Sequence, residues 1–248
     1  MSHKPFLRAI FVVGRKDMRI YYRKAPVYIF GLLLPTFLFF AFFVGRQLDI
    51  PKYFPGFLAM SLFFTSSSVG PIIVPWEKQA GTFERLLSLP VSVTTIILGD
   101  MLAGALFGLI ISTFIGVLGI VLLGLSVTNV LLLAVLFVLG NACFAAMGEL
   151  ISSTGGRTPS NVMMLSALVR FPLIFISGVF VSLSEMSGPG IIVAYLSPLT
   201  YLVDGLNASM GQSSVIPWAV DILVLVLFMT IFTFGTRKLL QRNLMKGM

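Results

Sequence analysis

Apolar runs of about 20 residues recur along nearly the whole 248-residue chain, separated by short polar interruptions, and no other feature restricts the fold as much. As a helix, a run of that length matches the ~30 Å hydrocarbon core of a bilayer, where a segment must satisfy its own backbone polar groups. With 57% hydrophobic and 10% charged residues and a mean hydropathy of +1.01, the chain reads as an all-α membrane protein. About six transmembrane helices fit its length. They make a single transmembrane domain over residues 1–248, with little left for a soluble one.

The pattern predicts spans over Val27 to Val44, Tyr53 to Val74, Val93 to Leu123, Val130 to Ile151, Val162 to Val181 and Val215 to Gly235. Pro35 should kink the first, because it removes a helical hydrogen bond. The third is longer than a bilayer requires. Its glycines at 99, 104, 108, 116 and 119 allow close approach of a neighbouring helix. Residues 1–25 place Leu7, Ile10, Phe11, Gly14, Met18, Tyr21 and Tyr22 on one stripe flanked by Arg8, Arg15, Lys16, Arg19 and Arg23, which predicts an N-terminal amphipathic interfacial helix. Between the last two spans, residues 184–214 hold two apolar runs, Ile191 to Leu196 and Leu199 to Met210, each too short to cross. With Ser197 as a cap and Pro198 at the first helical position, they read as short outer re-entrant helices.

Lys and Arg number seven in residues 1–25, two in the interruption near Trp76 and four after Gly235, with Arg157 alone in the next loop; the other side has only Arg46 and Lys52. Both termini and the Trp76 loop are therefore expected in the cytoplasm. The net charge of +8 sits at the two ends beside apolar segments, so its partners are anionic membrane lipids, not nucleic acid. One cysteine (Cys143) and one histidine (His3) leave no disulfide framework and no metal site. No removable signal peptide is apparent.

The cytoplasmic loop over residues 75–92 is too charged for lipid. A short helix beginning at Thr82, with the Thr82 hydroxyl as cap and Glu84 in its first turn, puts Phe83, Leu86 and Leu87 on one face and Glu84, Arg85 and Ser88 elsewhere. Either the bilayer surface or a soluble partner would cover that apolar face. The hydroxyl cluster Thr65, Ser66, Ser67 and Ser68 serves helix packing or a translocation path. Arg170 falls about nine residues, or roughly 13 Å, past Asn161. It invites a functional reading, although snorkelling or a structural pairing with Glu149 also fits. No phosphate-binding loop occurs, so the chain by itself is not expected to be an ATP-hydrolysing enzyme.

Glu77-Lys78 followed by Gly81-Thr82-Phe83-Glu84-Arg85-Leu86-Leu87-Ser88-Leu89-Pro90 resembles the loop between the second and third spans of ABC type-2 permeases, the membrane subunits of prokaryotic ABC exporters. Ser197-Pro198-Leu199-Thr200-Tyr201-Leu202-Val203-Asp204 resembles the family's outer motif, and Phe175 to Phe180 also fits. The resemblance implies a plasma-membrane half-transporter that pairs with itself or a paralogous permease and with a separate ABC ATPase, which carries the ATP and Mg. It implies an ATPase-coupling segment at Gln79, Thr82, Phe83, Glu84, Arg85, Leu86 and Leu87, and an outer re-entrant motif at Pro198, Leu199, Thr200, Tyr201 and Asp204. Asp100 departs from the family pattern, which more often has a basic residue there. Path candidates are Thr65 to Ser68, Asn161, Arg170 and Phe171, with an amphipathic, drug-like or lipid cargo because the spans are poor in charge. The rival readings are an ion- or proton-coupled carrier, disfavoured by the scarcity of deep acids, and a non-transporting anchor or sensor.

Overall fold

The computed structural model describes residues 3–43, 49–154 and 158–246; Val44, Arg46 and Arg157, which enter the expectations above, lie outside the described residues. Every regular element among the described residues is helical. Five helical stretches are long and apolar enough to cross a membrane: Ile50–Gln79, Val93–Val121, Val130–Ser152, Pro159–Ile176 and Trp218–Asn243. The first predicted span is a shorter run made of α2 (Ala25–Tyr28), a π-helical turn (Ile29–Leu33) and α3 (Leu34–Phe43). Its irregularity thus comes one turn before Pro35, where a wide turn accommodates the missing N–H.

The second span is two helices, α4 (Ile50–Ser67) and α5 (Gly70–Gln79), parting at Ser68 and Val69. Pro71 stands in the first turn of the second piece, where its missing donor has no cost. This stretch is the centre of the molecule, and its most apolar window is wholly buried. α7 (Val93–Leu123) and α8 (Val130–Ser152) pack against it, as do α9 (Pro159–Ile176) and α11 (Pro198–Ser209). Phe63 meets Phe144 of α8 edge to face at 4.8 Å. The glycines of α7 make this contact close. A Cβ on Gly108 would lie 2.1 Å from Asn141 Oδ1 and 2.6 Å from Ser66 Cβ, so the expected small-residue approach is realised against α4 and α8.

α1 (His3–Tyr21) lies along α7. Its inward side is Val13, Gly14, Asp17 and Tyr21, while Phe6, Leu7, Phe11, Val12 and Ile20 are exposed. The predicted single stripe is therefore split: part of the apolar surface packs on the bundle and part faces out. α9 is capped by Thr158, whose hydroxyl accepts from Asn161 N. It ends at Ile176, short of the predicted Val181, because Gly178 turns the chain with φ +82°.

α10 (Pro189–Ala194) and α11 are the two short helices expected before the last span. The last helix, α12 (Trp218–Lys246), starts later than predicted and runs on past Gly235 along α8. Its start is set by Asp204, whose carboxylate accepts from Val215 N and Ile216 N at 2.9 Å each and fixes the preceding loop. Asn243 near its end donates to Ser153 O at 2.9 Å. At the opposite end of the bundle, Thr128 N and Asn129 N donate to Ser209 O.

Candidate functional site

The cytoplasm-expected loop is mounted on α5. Gly81 adopts φ +65°, a left-handed turn that favours glycine, and α6 (Thr82–Leu87) follows at once. The N-cap position is Gly81, not a side chain. The Thr82 hydroxyl, expected to cap, instead donates back to Glu77 O at 3.2 Å. Phe83 is turned into the chain's own core, only 1% exposed, in a cluster with Val74, Ile97, Met101, Ala146 and Leu240. Of the two covers expected for that apolar face, bilayer or partner, neither takes Phe83: it packs in the chain's own core, with residues of α5, α7, α8 and α12 in the same cluster. Leu86 and Leu87 are half-buried, while Gln79, Thr82, Glu84, Arg85, Ser88 and Leu89 are exposed. The surface left open for contact is therefore mostly polar.

Beneath α6 lies a charged cluster that no motif announced. Lys16 of α1 forms ion pairs with Asp17, at 2.9 Å, and with Glu77 of α5. Asp17, Glu77, Asp100 of α7 and Glu149 of α8 are all buried. Asp17 and Asp100 interact electrostatically within the cluster, and like charges held together away from water disfavour each other's ionised form. Burial raises the Asp17 carboxyl above its ordinary range, partly offset by Asp100 and Lys16. For Lys16, burial lowers and the surrounding acids raise, and the acids prevail. The cluster joins four helices at the α6 end. Its signal in the sequence was Asp17, which falls in step with Val13 and Tyr21 on the inward face of α1. Asp100, singled out for its sign, belongs to this cluster.

Arg170 is equally buried but stands apart. Its Nε donates to Ser166 Oγ at 2.8 Å and to Ser166 O at 3.3 Å, and Nη2 also reaches Ser166 Oγ. The guanidinium lies 5.7 Å from the Phe30 ring and 6.0 Å from that of Phe64. Among the described residues no ion pair joins it to Glu149, so the expected pairing is overturned: Glu149 faces the Lys16 cluster, and Arg170 faces aromatic rings.

The hydroxyls of Thr65, Ser66, Ser67 and Ser68 are fully buried and donate to carbonyls of their own helix. Within the single chain they face helix packing, not an open path. Asn161 is exposed, and Phe171, also exposed, touches Phe64 edge-on at 6.0 Å. In the outer motif, Ser197 caps α11 as expected by accepting from Leu199 N. Pro198, Leu199, Thr200 and Asp204 are buried there. Thr200 donates to Ala194 O at 2.5 Å and Tyr201 to Tyr195 O at 2.9 Å. These residues bind α10 to α11 and set the start of α12.

The family model for ABC-2 type transporters matches residues 8–210, from α1 through α11. The chain belongs to the ABC-2 type transporter family. Relatives of this ABC-2 protein include the inner membrane transport permease YadH of Escherichia coli (strain K12), 24% identical over 189 residues, which are 76% of this chain and 73% of the relative. YadH of Escherichia coli O157:H7 and of Shigella flexneri match to the same extent. The ABC-2 protein is accordingly a transport permease, a multi-pass protein of the plasma membrane, from a family that normally works with an ATPase subunit.

Proposed function

We propose that this permease is the membrane subunit of an ATP-driven exporter that moves an amphipathic, drug-like or lipid cargo outward as a homodimer or with a paralogous permease. The observation that carries the reading is α6. It is pinned by Phe83 in the buried core, yet Glu84 and Arg85 on it and Gln79 and Leu89 beside it face outward, and it stands between the buried central helix and α7. A force applied there is transmitted to the core of the bundle. The apolar outward stripe of α9, with Met164, Leu168, Phe171 and Phe175 exposed, offers the face for the second permease and the cargo. A proton-coupled carrier draws support from the buried carboxyls at Asp17, Asp100 and Glu149, but these sit among α1, α5, α7 and α8 at the α6 end, gathered around Lys16.

The test uses Glu84→Lys and Arg85→Glu in the permease co-expressed with its cognate ABC ATPase. Both positions are exposed, so the variants should fold normally while ATPase co-purification weakens in a salt-dependent way and permease-stimulated hydrolysis falls. Full co-purification and coupled hydrolysis in both variants would remove the coupling role from α6.

A further inference from the structure

Where α1 bends into the first apolar helix, the side chains of Arg15, Met18, Arg19, Tyr22, Arg23 and Tyr28 line a cavity of about 720 Å³. Arg15 and Arg19 are one turn apart on α1, and Arg23 lies in the turn that ends it. Among the described residues no carboxylate lines the cavity, and none of the three arginines takes part in an ion pair. Neighbouring cations are otherwise engaged: Lys16 by Asp17 and Glu77, and Lys24 over the Trp76 ring at 4.4 Å. Asp17 is buried behind Lys16 and faces Asp100. Three guanidinium groups around one concavity repel each other unless an anion joins them.

We infer that this elbow is a binding site for the phosphate headgroup of an anionic membrane lipid. A guanidinium presents a planar fork that matches two oxygens of a phosphate, which lysine does not, and the cations lining the cavity are all arginines. The position selects a lipid over a soluble anion. Tyr22 is fixed by donating to Ala103 O at 2.6 Å, and Tyr28 ends α2 at the head of the first apolar helical run. Tyrosines at the mouth of an apolar helix mark headgroup depth. The exposed Phe6, Leu7, Phe11, Val12 and Ile20 of the same helix need acyl chains to cover them. The inference depends on the chain's place in the membrane and is independent of transport direction and of α6.

The test titrates the purified full chain, in neutral detergent, with phosphatidylglycerol and with phosphatidylcholine, and counts bound lipid by native mass spectrometry. The wild-type chain should prefer phosphatidylglycerol. Arg15→Gln/Arg19→Gln/Arg23→Gln should weaken that binding by about fivefold per arginine, on the order of a hundredfold in all. The triple Arg→Lys variant should show a smaller loss, and Arg237→Gln/Lys238→Gln/Arg242→Gln, which removes the same charge from the other end of the chain, should bind as wild type. Because the three arginines are exposed, circular dichroism and elution volume should not change; if the triple variant misfolds, Arg19→Gln alone should still show its fivefold loss. Unchanged phosphatidylglycerol binding, or an equal loss in the Arg237 control, overturns the site. Displacement by inorganic phosphate at concentrations matching the lipid would assign it to a free anion. Loss of ATPase co-purification with lipid binding intact would assign it to a protein partner.

Discussion

Among the described residues Lys16 is the one cation ion-paired within the cluster of four buried carboxyl groups, and removing it should be felt more than removing any one acid. Lys16→Met is expected to destabilise the permease by about 3 kcal/mol, because it strands Glu77 and Asp17 without their counter-charge. Adding Glu77→Gln should restore part of the loss in thermal unfolding in detergent. The pH dependence has a definite sign. The folded-state values of Asp17 and Lys16 both lie above their ordinary ones, so both contributions are fully present at low pH and are lost as pH rises through those folded values. Lys16 should therefore add an alkaline loss of stability above about pH 10, absent in Lys16→Met; identical alkaline profiles in the two proteins would contradict the cluster. Arg170 behaves oppositely. It has no carboxylate partner, so Arg170→Met and Glu149→Gln should be additive to within about 0.5 kcal/mol in a double-mutant cycle, and a larger coupling would restore the pairing that the geometry denies.

At the scale of elements, α6 is a short exposed helix with a buried pin. Six residues are too few for a helix stable on its own, so packing must hold it. Phe83 supplies that packing, buried in one cluster with Val74, Ile97, Met101, Ala146 and Leu240. Phe83→Ala should accordingly cost about 3–5 kcal/mol of stability, seen as a lowered unfolding temperature and poorer yield, whereas Glu84→Lys should leave both unchanged. A Phe83 variant that folds as well as wild type but fails to couple would reverse these assignments. Helix α7, 31 residues or about 46 Å long, runs from beside α6 to the far end of the bundle and presses its glycines against α4 along the way.

At the scale of the whole molecule, the most apolar window of Ile50–Gln79 is wholly buried, while those of α9 and α12 are 22% and 17% buried. The single chain thus wraps its central helix on every side and leaves α9 and α12 largely outward, where lipid or a second protein can cover them. With α6 at the end that holds Asn243 and Ser153, and α10–α11 at the end that holds Thr128 and Ser209, cysteines at Gln79 and Ser187, both exposed, should react with an impermeant thiol reagent from opposite sides of the membrane. The background would be Cys143→Ala, since Cys143 is buried. Labelling of both from one side would exclude the arrangement with both termini in the cytoplasm.

The amino-acid order alone determined the helical class, the bounds of α7 and α8, the paired short helices with Ser197 as cap, and the family through its two motifs. Each of these is written in local terms: the period of apolar residues, the length of a run, a cap, a proline. What it did not determine was the direction in which individual side chains point. Phe83, read as part of a face to be covered by lipid or a partner, is a core residue, because tertiary packing brings Leu240 of α12 into the same cluster. Glu149 faces Lys16 and not Arg170, because α1 lies over α7 and brings a cation and an acid to a cluster that no spacing along one helix reveals. The hydroxyls of Thr65 to Ser68 are committed to their own helix and covered by the glycines of α7 and α8. These choices depend on contacts between residues far apart in sequence. In lipid, periodicity separates an inward from an outward face but does not identify the helix that covers it.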